Sequence, residues 1–208
     1  MLLRISPQNI QDADIDRVIR VLKNDGVIIY PTDSVYALGC YLHSQKAISK
    51  ICDFKKIRPE KANLTFICSG LRQISEFTKP ISSPIFKLLK KSLPGPYTFI
   101  LPAAGNVPKL FLKKTKNTIG VRIPDHPVCA AIVERLGSPL LTTSLHNPED
   151  ELLDYYTDAE NIYQHYGEKV ELVVDGGYGS IFPTTIIDCT AENPVLIREG
   201  IGTTDHLF

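Results

Sequence analysis

The stretch from Gly26 to Cys40 constrains the fold most, because it joins an apolar strand pattern to a run of small polar residues. Four β-favouring residues, Val27 to Tyr30, precede Pro31. This pattern predicts a short buried strand that ends where proline removes a backbone donor. Two hydroxyls and a carboxylate follow at 32–34, before a second apolar run. An unpaired buried polar group costs about 1 to 3 kcal/mol, so either a capped turn or a ligand must satisfy them.

The composition favours one globular domain over residues 1–208. A chain of 208 residues can bury roughly 70% of its unfolded surface. Hydrophobic residues make up 43% of the chain and charged residues 22%, which is ordinary for a globular protein. No stretch approaches the roughly 18 apolar residues of a membrane span, and the N-terminal apolar run is too short for a signal peptide. We therefore expect a cytoplasmic protein without a membrane partner.

Charge and metal-ligand spacing exclude other classes. Basic and acidic residues both number 23, so the net charge gives no reason to expect nucleic acid as a partner. The five cysteines contain no C-x-x-C pair, and the five histidines lack the spacing of metal ligands. We therefore predict reduced cysteines in the core and no metal bound by the protein itself.

Hydrophobic periodicity predicts about eight strands interleaved with five or six helices. Several strands follow one another without a helix, so the sheet should be mixed rather than wholly parallel. Ser44 is the predicted N-cap of the second helix. The predicted strands are 27–30, 64–68, 97–101, 119–123, 140–143, 170–174, 184–187 and 195–197.

Polar residues end several of these strands, and ligands of open α/β sheets tend to bind in the crevice outside strand ends. The chain has neither a P-loop nor a dinucleotide fingerprint, so side chains must hold the phosphates of any nucleotide. Lys56 and Arg58, after the second helix, are the best candidates. The alternative is that both only complement the helix dipole.

The sequence Pro31-Thr32-Asp33-Ser34, followed by Tyr36-Ala37-Leu38-Gly39-Cys40, resembles the P-T-D-T/S-x-Y-G/A-L-G signature of the YrdC/YciO family, and is most similar to its YciO branch. Further blocks in the family's order extend the resemblance over residues 26–200. It implies a single-domain, twisted, open mixed α/β sheet of the YrdC/RibB-like type, with a large concave face. It also implies that the additional C-terminal domain of longer members is absent.

The resemblance implies an ATP-dependent threonylcarbamoyl-adenylate synthase that uses L-threonine and bicarbonate and serves tRNA threonylcarbamoyladenosine modification. Mg²⁺ would accompany ATP, and no residue would be catalytic beyond positioning and charge stabilisation. Arg122 would hold the amino-acid carboxylate; an internal ion pair is its alternative. The implied nucleotide-binding residues are Lys56, Arg58, Thr118, Ser144 and Arg198, and the implied threonine-binding residues are Thr32, Ser34, Arg122 and Thr142.

Departures from the family pattern keep alternatives open. Ser144-Leu145-His146 stands where the synthases have S-A-N, and Lys61-Ala62-Asn63-Leu64 stands where they often have D-N-P-L or D-K-G-L. The spacing from the signature to the segment Lys56-Ile57-Arg58, which resembles the family's K-x-R motif, is also one residue longer. One alternative is a related nucleotide-using enzyme with another substrate. The other is a double-stranded RNA- or tRNA-binding protein of the same fold, which would use the lysines Lys109, Lys113, Lys114 and Lys116.

Overall fold

The computed structural model describes residues 1–58, 64–107, 117–145 and 156–205. Helices and strands alternate along most of this part of the chain. The helices are α1 (Asp12–Lys23), α2 (Gln45–Phe54), α3 (Leu71–Phe77), α4 (Ser83–Ser92), α5 (Pro127–Leu136) and α6 (Ala159–Tyr166). The strands are β1 (Leu2–Arg4), β2 (Val27–Tyr30), β3 (Ala37–Tyr41), β4 (Thr65–Ile67), β5 (Tyr97–Pro102), β6 (Thr118–Arg122), β7 (Leu140–Ser144), β8 (Leu172–Asp175), β9 (Thr185–Asp188) and β10 (Val195–Arg198).

All of these strands form one ten-stranded sheet in the order β1-β8-β2-β3-β7-β4-β6-β5-β9-β10. Four neighbouring pairs are parallel, β1–β8, β8–β2, β4–β6 and β5–β9. The others are antiparallel. The prediction of a single-domain mixed α/β sheet is confirmed. The sequence patterns did not predict β1, which has only three residues, or β3, which follows the polar loop directly.

Helices cover the two faces of the sheet unequally. The apolar residues of α1 and α5 pack in one cluster with residues of β1, β2, β3 and β8. From the next two strands this cluster takes only Leu140 and Ile67, and it takes none from β6, β5, β9 or β10. The apolar residues of α2, α3, α4 and α6 pack on the opposite face. We call the part of the α1/α5 face over β7, β4, β6, β5 and β9 the open face.

The buried positions agree with the predicted core. All five cysteines are buried, as their apolar surroundings predicted. Among the described residues, the helices are too short or too polar to cross a membrane. Strand β2 is buried on both sides, whereas helices such as α1 bury one side.

Helix α2 is held at its beginning by the predicted cap. The Ser44 hydroxyl accepts the Ala47 N–H at 3.0 Å and donates to Asp25 Oδ1 at 2.6 Å. The helix ends at Phe54, with Lys55 as its C-cap. Because Ser44 fixes the beginning of α2, it also sets where the lysines after the helix lie.

Ser44→Ala should lower the free energy of unfolding by about 1 to 2 kcal/mol, because the helix loses a buried side-chain cap. Ser82 is the matched control, since it is the N-cap of α4 but makes no side-chain cap hydrogen bond. Ser82→Ala should cost less than about 0.5 kcal/mol. Urea unfolding of both variants measures the difference, and equal losses would contradict the role of Ser44.

Candidate functional site

The open face carries a row of hydroxyl side chains where a covered face would carry apolar ones. Register pairs Thr142 with Thr65, Thr65 with Gly120, and Gly120 with Ile100, which lies two residues from Thr98 on β5. Paired residues lie on the same side of a sheet, so these positions share the open face. Thr184 joins them, because its hydroxyl lies 2.9 Å from that of Thr98. We call Thr65, Thr98, Thr142 and Thr184 the threonine floor.

A cavity of about 430 Å³ lies on this floor. Its size falls in the range of roughly 300 to 1,000 Å³ that is usual for small-molecule sites. Its walls come from the loop after β2, from the residues after α2 and from the ends of β6, β7 and β10. Five predicted site residues line this one cavity, namely Ser34, Arg122, Thr142, Ser144 and Arg198.

Gly120 lies between two residues of the floor. A Cβ atom at this position would lie 3.0 Å from Thr65 Oγ1 and 3.4 Å from Thr98 Cγ2. Glycine therefore lets the Thr65 and Thr98 side chains pack closely over β6.

Thr32 and Ser34 have different environments. The Thr32 hydroxyl donates to the Val35 carbonyl at 2.8 Å and accepts the Ser34 N–H at 3.1 Å. These bonds form the capped turn that the sequence left open as an alternative. Ser34 lines the cavity. Thr32 therefore shapes the loop that presents Ser34, and a direct contact of Thr32 with a ligand stays a prediction.

Thr142 also bonds within the fold. Its hydroxyl accepts from the Tyr30 hydroxyl and donates to the Leu38 carbonyl, both at 2.8 Å. These bonds tie β7 to β2 and β3 beneath the cavity. A ligand contact of Thr142 would use its remaining acceptor capacity.

Arg122 is 6% exposed and forms the predicted alternative, an internal ion pair. Its Nη2 donates to Asp33 Oδ1 at 2.6 Å and to the Ser34 hydroxyl at 3.2 Å. Its Nε is buried and has no hydrogen-bond partner within the described chain. Arg122 lines the cavity, and the ion pair leaves its Nε–H without a partner in the described part of the chain.

Lys55, which the sequence patterns did not single out, lines the cavity. It is 5% exposed, and its Nζ donates to the Ser144 carbonyl at 3.1 Å. Lys56 is exposed, has φ of 51° and is not among the lining residues that the structure describes. The adjacent Lys55-Lys56 pair was the sequence signal that could have pointed to Lys55.

The remaining predicted residues lie around the cavity. Arg198 donates from Nε and Nη2 to the Thr184 carbonyl at 3.3 and 2.8 Å, which places its guanidinium at the floor. Thr118 shares the side of β6 that carries Gly120 and Arg122, at the far end of the strand. Arg58 is exposed at the end of a described range. Their ligand contacts stay predictions.

Some predictions concern residues that the structure does not describe. Lys109, Lys113, Lys114 and Lys116, proposed for RNA binding, lie outside the described ranges, as does His146. RNA binding therefore stays a prediction. Within the described ranges, no group of three or more histidine, cysteine, aspartate or glutamate residues is placed to hold a metal ion.

Comparison with known proteins decides the family. The Sua5/YciO/YrdC family model, described as telomere recombination, matches residues 20–200. The chain belongs to the Sua5/YciO/YrdC family. YciO of Escherichia coli is 39% identical over 198 residues, which cover 95% of this chain and 94% of YciO. The YciO crystal structure matches with a TM-score of 0.92 and 37% identity, over 100% of this chain and 99% of that one.

The chain is also related to threonylcarbamoyl-AMP synthases. The synthase of Halorhodospira halophila is 29% identical over 179 residues, which cover 86% of each protein. Sua5 of P. abyssi, solved in complex with L-threonine, matches with a TM-score of 0.83 and 24% identity, over 96% of this chain and 57% of Sua5. At that identity the Sua5 match supports the fold alone.

His126, which sequence reasoning did not place at the site, is half-buried. It precedes α5, and its Nδ1 is buried without a hydrogen-bond partner among the described residues. Burial lowers the pKa of His126 below its ordinary value of 6.5, although Asp33 and Asp125 act in the opposite direction. The neutral imidazole is therefore the form that the fold favours.

Stability should fall as the pH drops below about 6.5, because the unfolded chain then takes up a proton at His126 that the folded chain resists. His126→Gln should reduce this loss between about pH 7.5 and pH 5.5. Urea unfolding at the two pH values measures it. His43→Gln, which replaces an exposed histidine, is the control. An identical pH dependence in wild type and His126→Gln would contradict the assignment.

Proposed function

We propose that this chain binds ATP, L-threonine and bicarbonate in the cavity and forms threonylcarbamoyl-adenylate and pyrophosphate, for tRNA threonylcarbamoyladenosine modification. One observation carries the proposal. Two buried cations, Lys55 and Arg122, line the same cavity on a floor of hydroxyl groups. Such a site suits a ligand with several anionic groups. The relationship to threonylcarbamoyl-AMP synthases supports this choice of reaction.

Arg122 is the proposed partner of the amino-acid carboxylate, since a planar guanidinium suits a carboxylate. Its unused Nε–H supplies a donor for that contact. Ser34 and Thr142, with Thr32 shaping the loop, would complete the threonine-binding part of the site.

Lys55 and Arg198 are the proposed cations for the nucleotide phosphates, together with Ser144. Here Lys55 takes the role that the resemblance gave to Lys56, because Lys55 lines the cavity. Arg58 and Thr118 remain proposed as further nucleotide contacts. Mg²⁺ bound to ATP would neutralise phosphate charge during pyrophosphate release. Mg²⁺ usually binds through substrate phosphates and water, so this site needs no cage of protein ligands.

The reaction makes few demands on acid or base groups of the protein. The threonine amine attacks the carbon of bicarbonate and water leaves, which gives a carbamate. A carbamate oxygen then attacks the α-phosphorus of ATP, and pyrophosphate leaves. The described lining contains no carboxylate, histidine or cysteine. Catalysis would therefore rest on positioning and charge stabilisation.

Purified protein with Mg²⁺ and ATP should release pyrophosphate only when L-threonine and bicarbonate are both present. A coupled pyrophosphate assay measures this, with each component omitted in turn. Other amino acids in place of L-threonine test the alternative of another substrate. Folded protein that releases no pyrophosphate above background with any amino acid would contradict the proposal.

Lys55→Met should weaken ATP binding about 10- to 100-fold, because one charge-assisted hydrogen bond of roughly 1.5 to 3 kcal/mol is lost. Methionine keeps most of the buried alkyl chain, so the packing at the end of α2 should survive. Lys56→Met is the matched control at the adjacent exposed position and should bind ATP nearly as wild type does. Isothermal titration calorimetry compares them, and a greater loss in Lys56→Met would reverse the assignment.

A further inference from the structure

The two oxygens of the Asp33 carboxylate accept hydrogen bonds from two different parts of the fold. Its Oδ1 accepts from Arg122 Nη2 at 2.6 Å, and its Oδ2 accepts the backbone N–H of Asp125 at 2.9 Å. The side chains of Arg122 and Asp33 are only 8% and 7% exposed. The loop after β2 is thereby joined both to the end of β6 and to the segment that leads into α5.

Both oxygens of the Asp33 carboxylate accept hydrogen bonds, one from Arg122 and one from the segment that leads into α5. A buried ion pair holds together only when its geometry is good and its remaining hydrogen-bonding capacity is used. The Asp125 N–H meets this second condition.

A second arginine–aspartate pair in the chain differs from the Arg122–Asp33 pair in which guanidinium donors bond to the carboxylate. Arg135 binds Asp16 through two parallel bonds, Nε to Oδ1 at 2.8 Å and Nη2 to Oδ2 at 2.9 Å. That exposed pair uses both donors on one edge of the guanidinium. At Arg122 the carboxylate takes Nη2, and its other oxygen is turned to the Asp125 N–H. The Nε–H of Arg122 therefore stays available.

A buried hydrogen-bond donor without an acceptor, such as the Arg122 Nε–H, costs free energy until another group accepts from it. A buried polar group without a partner loses its hydration and gains nothing in return. Arg122 lines the cavity, so an anionic oxygen of a ligand in the cavity can supply the missing partner. The guanidinium is planar and rigid, so fixing Nη2 also fixes the direction of the Nε–H bond.

We propose that Asp33 is a positioning residue, which holds the Arg122 guanidinium by Nη2 and so reserves its Nε–H for a carboxylate oxygen of the ligand. That the ligand is an amino acid rests on the proposed function; the hold of Asp33 on Arg122 does not. Asp33 acts through Arg122 and need not touch the ligand.

Nitrogen-15 NMR of the arginine Nε–H groups tests, without any ligand, whether Asp33 fixes the Arg122 guanidinium. The Arg122 signal, assigned by its absence in Arg122→Lys, should exchange slowly with water in the wild type. In Asp33→Asn it should exchange faster or broaden, because the charge that fixes the guanidinium is gone. Asp16→Asn, which breaks the exposed pair with Arg135, should leave the Arg122 signal unchanged.

The ligand step is tested in the wild type, so that it does not depend on the folding of a variant. L-threonine should shift the Arg122 Nε–H signal, whereas L-threoninol, which lacks the carboxylate, should not.

In Asp33→Asn the calorimetric affinity for L-threonine should fall about tenfold or more, as expected for one charge-assisted bond. The affinity for ATP should change much less, which separates positioning from general destabilisation.

The outcomes separate this inference from the proposed function. If the wild type binds L-threonine but the Arg122 signal does not respond, or if Asp33→Asn keeps both the signal and the affinity, the positioning role is wrong and the function stands. If the wild type binds no L-threonine while Asp33→Asn still frees the Arg122 signal, the proposed function fails and the hold of Asp33 on Arg122 stands.

Discussion

The buried ion pair between Arg122 and Asp33 is the interaction on which the site depends. It joins the loop after β2 to the end of β6, two strands that three others separate in the sheet. Loss of either partner would leave an uncompensated buried charge, which costs several kcal/mol in typical proteins. The pair therefore holds the cavity walls at a fixed separation above the threonine floor.

The unequal cover of the sheet explains why a cavity exists at all. Helices α1 and α5 bury the α1/α5 face over β1, β8, β2 and β3, while the strands beyond contribute little to that apolar cluster. An uncovered floor of leucine or isoleucine would be a large exposed apolar patch. Threonine keeps the β-branched shape that suits a strand and adds a hydroxyl that can form hydrogen bonds. The floor is thus compatible with both the sheet and a polar ligand.

The cavity walls contain polar and cationic residues even though the sequence departs from the family pattern. Ser144 lines the cavity although the residues after it differ from those of the synthases, and its carbonyl holds Lys55. Lys55 lines the cavity and Lys56, with φ of 51°, is not among its described lining residues. The proposed ligand class therefore rests on the family relationship and on cavity residues that include Lys55, which the motif alone does not indicate.

Local sequence patterns predicted most of the helices and strands, and the ordered motifs indicated the family. Ser44 caps α2, the strand at 27–30 forms, and the ordered motifs identify a mixed α/β sheet, because such features depend on nearby residues. Only the tertiary structure decided which neighbour faces the cavity. Lys55 rather than Lys56 lines it because one backbone angle at the helix end sets their directions, and Thr32 turns inward because Val35 accepts its hydroxyl. Contacts between distant strands, such as Arg122 with Asp33, leave no periodic signal in a single chain.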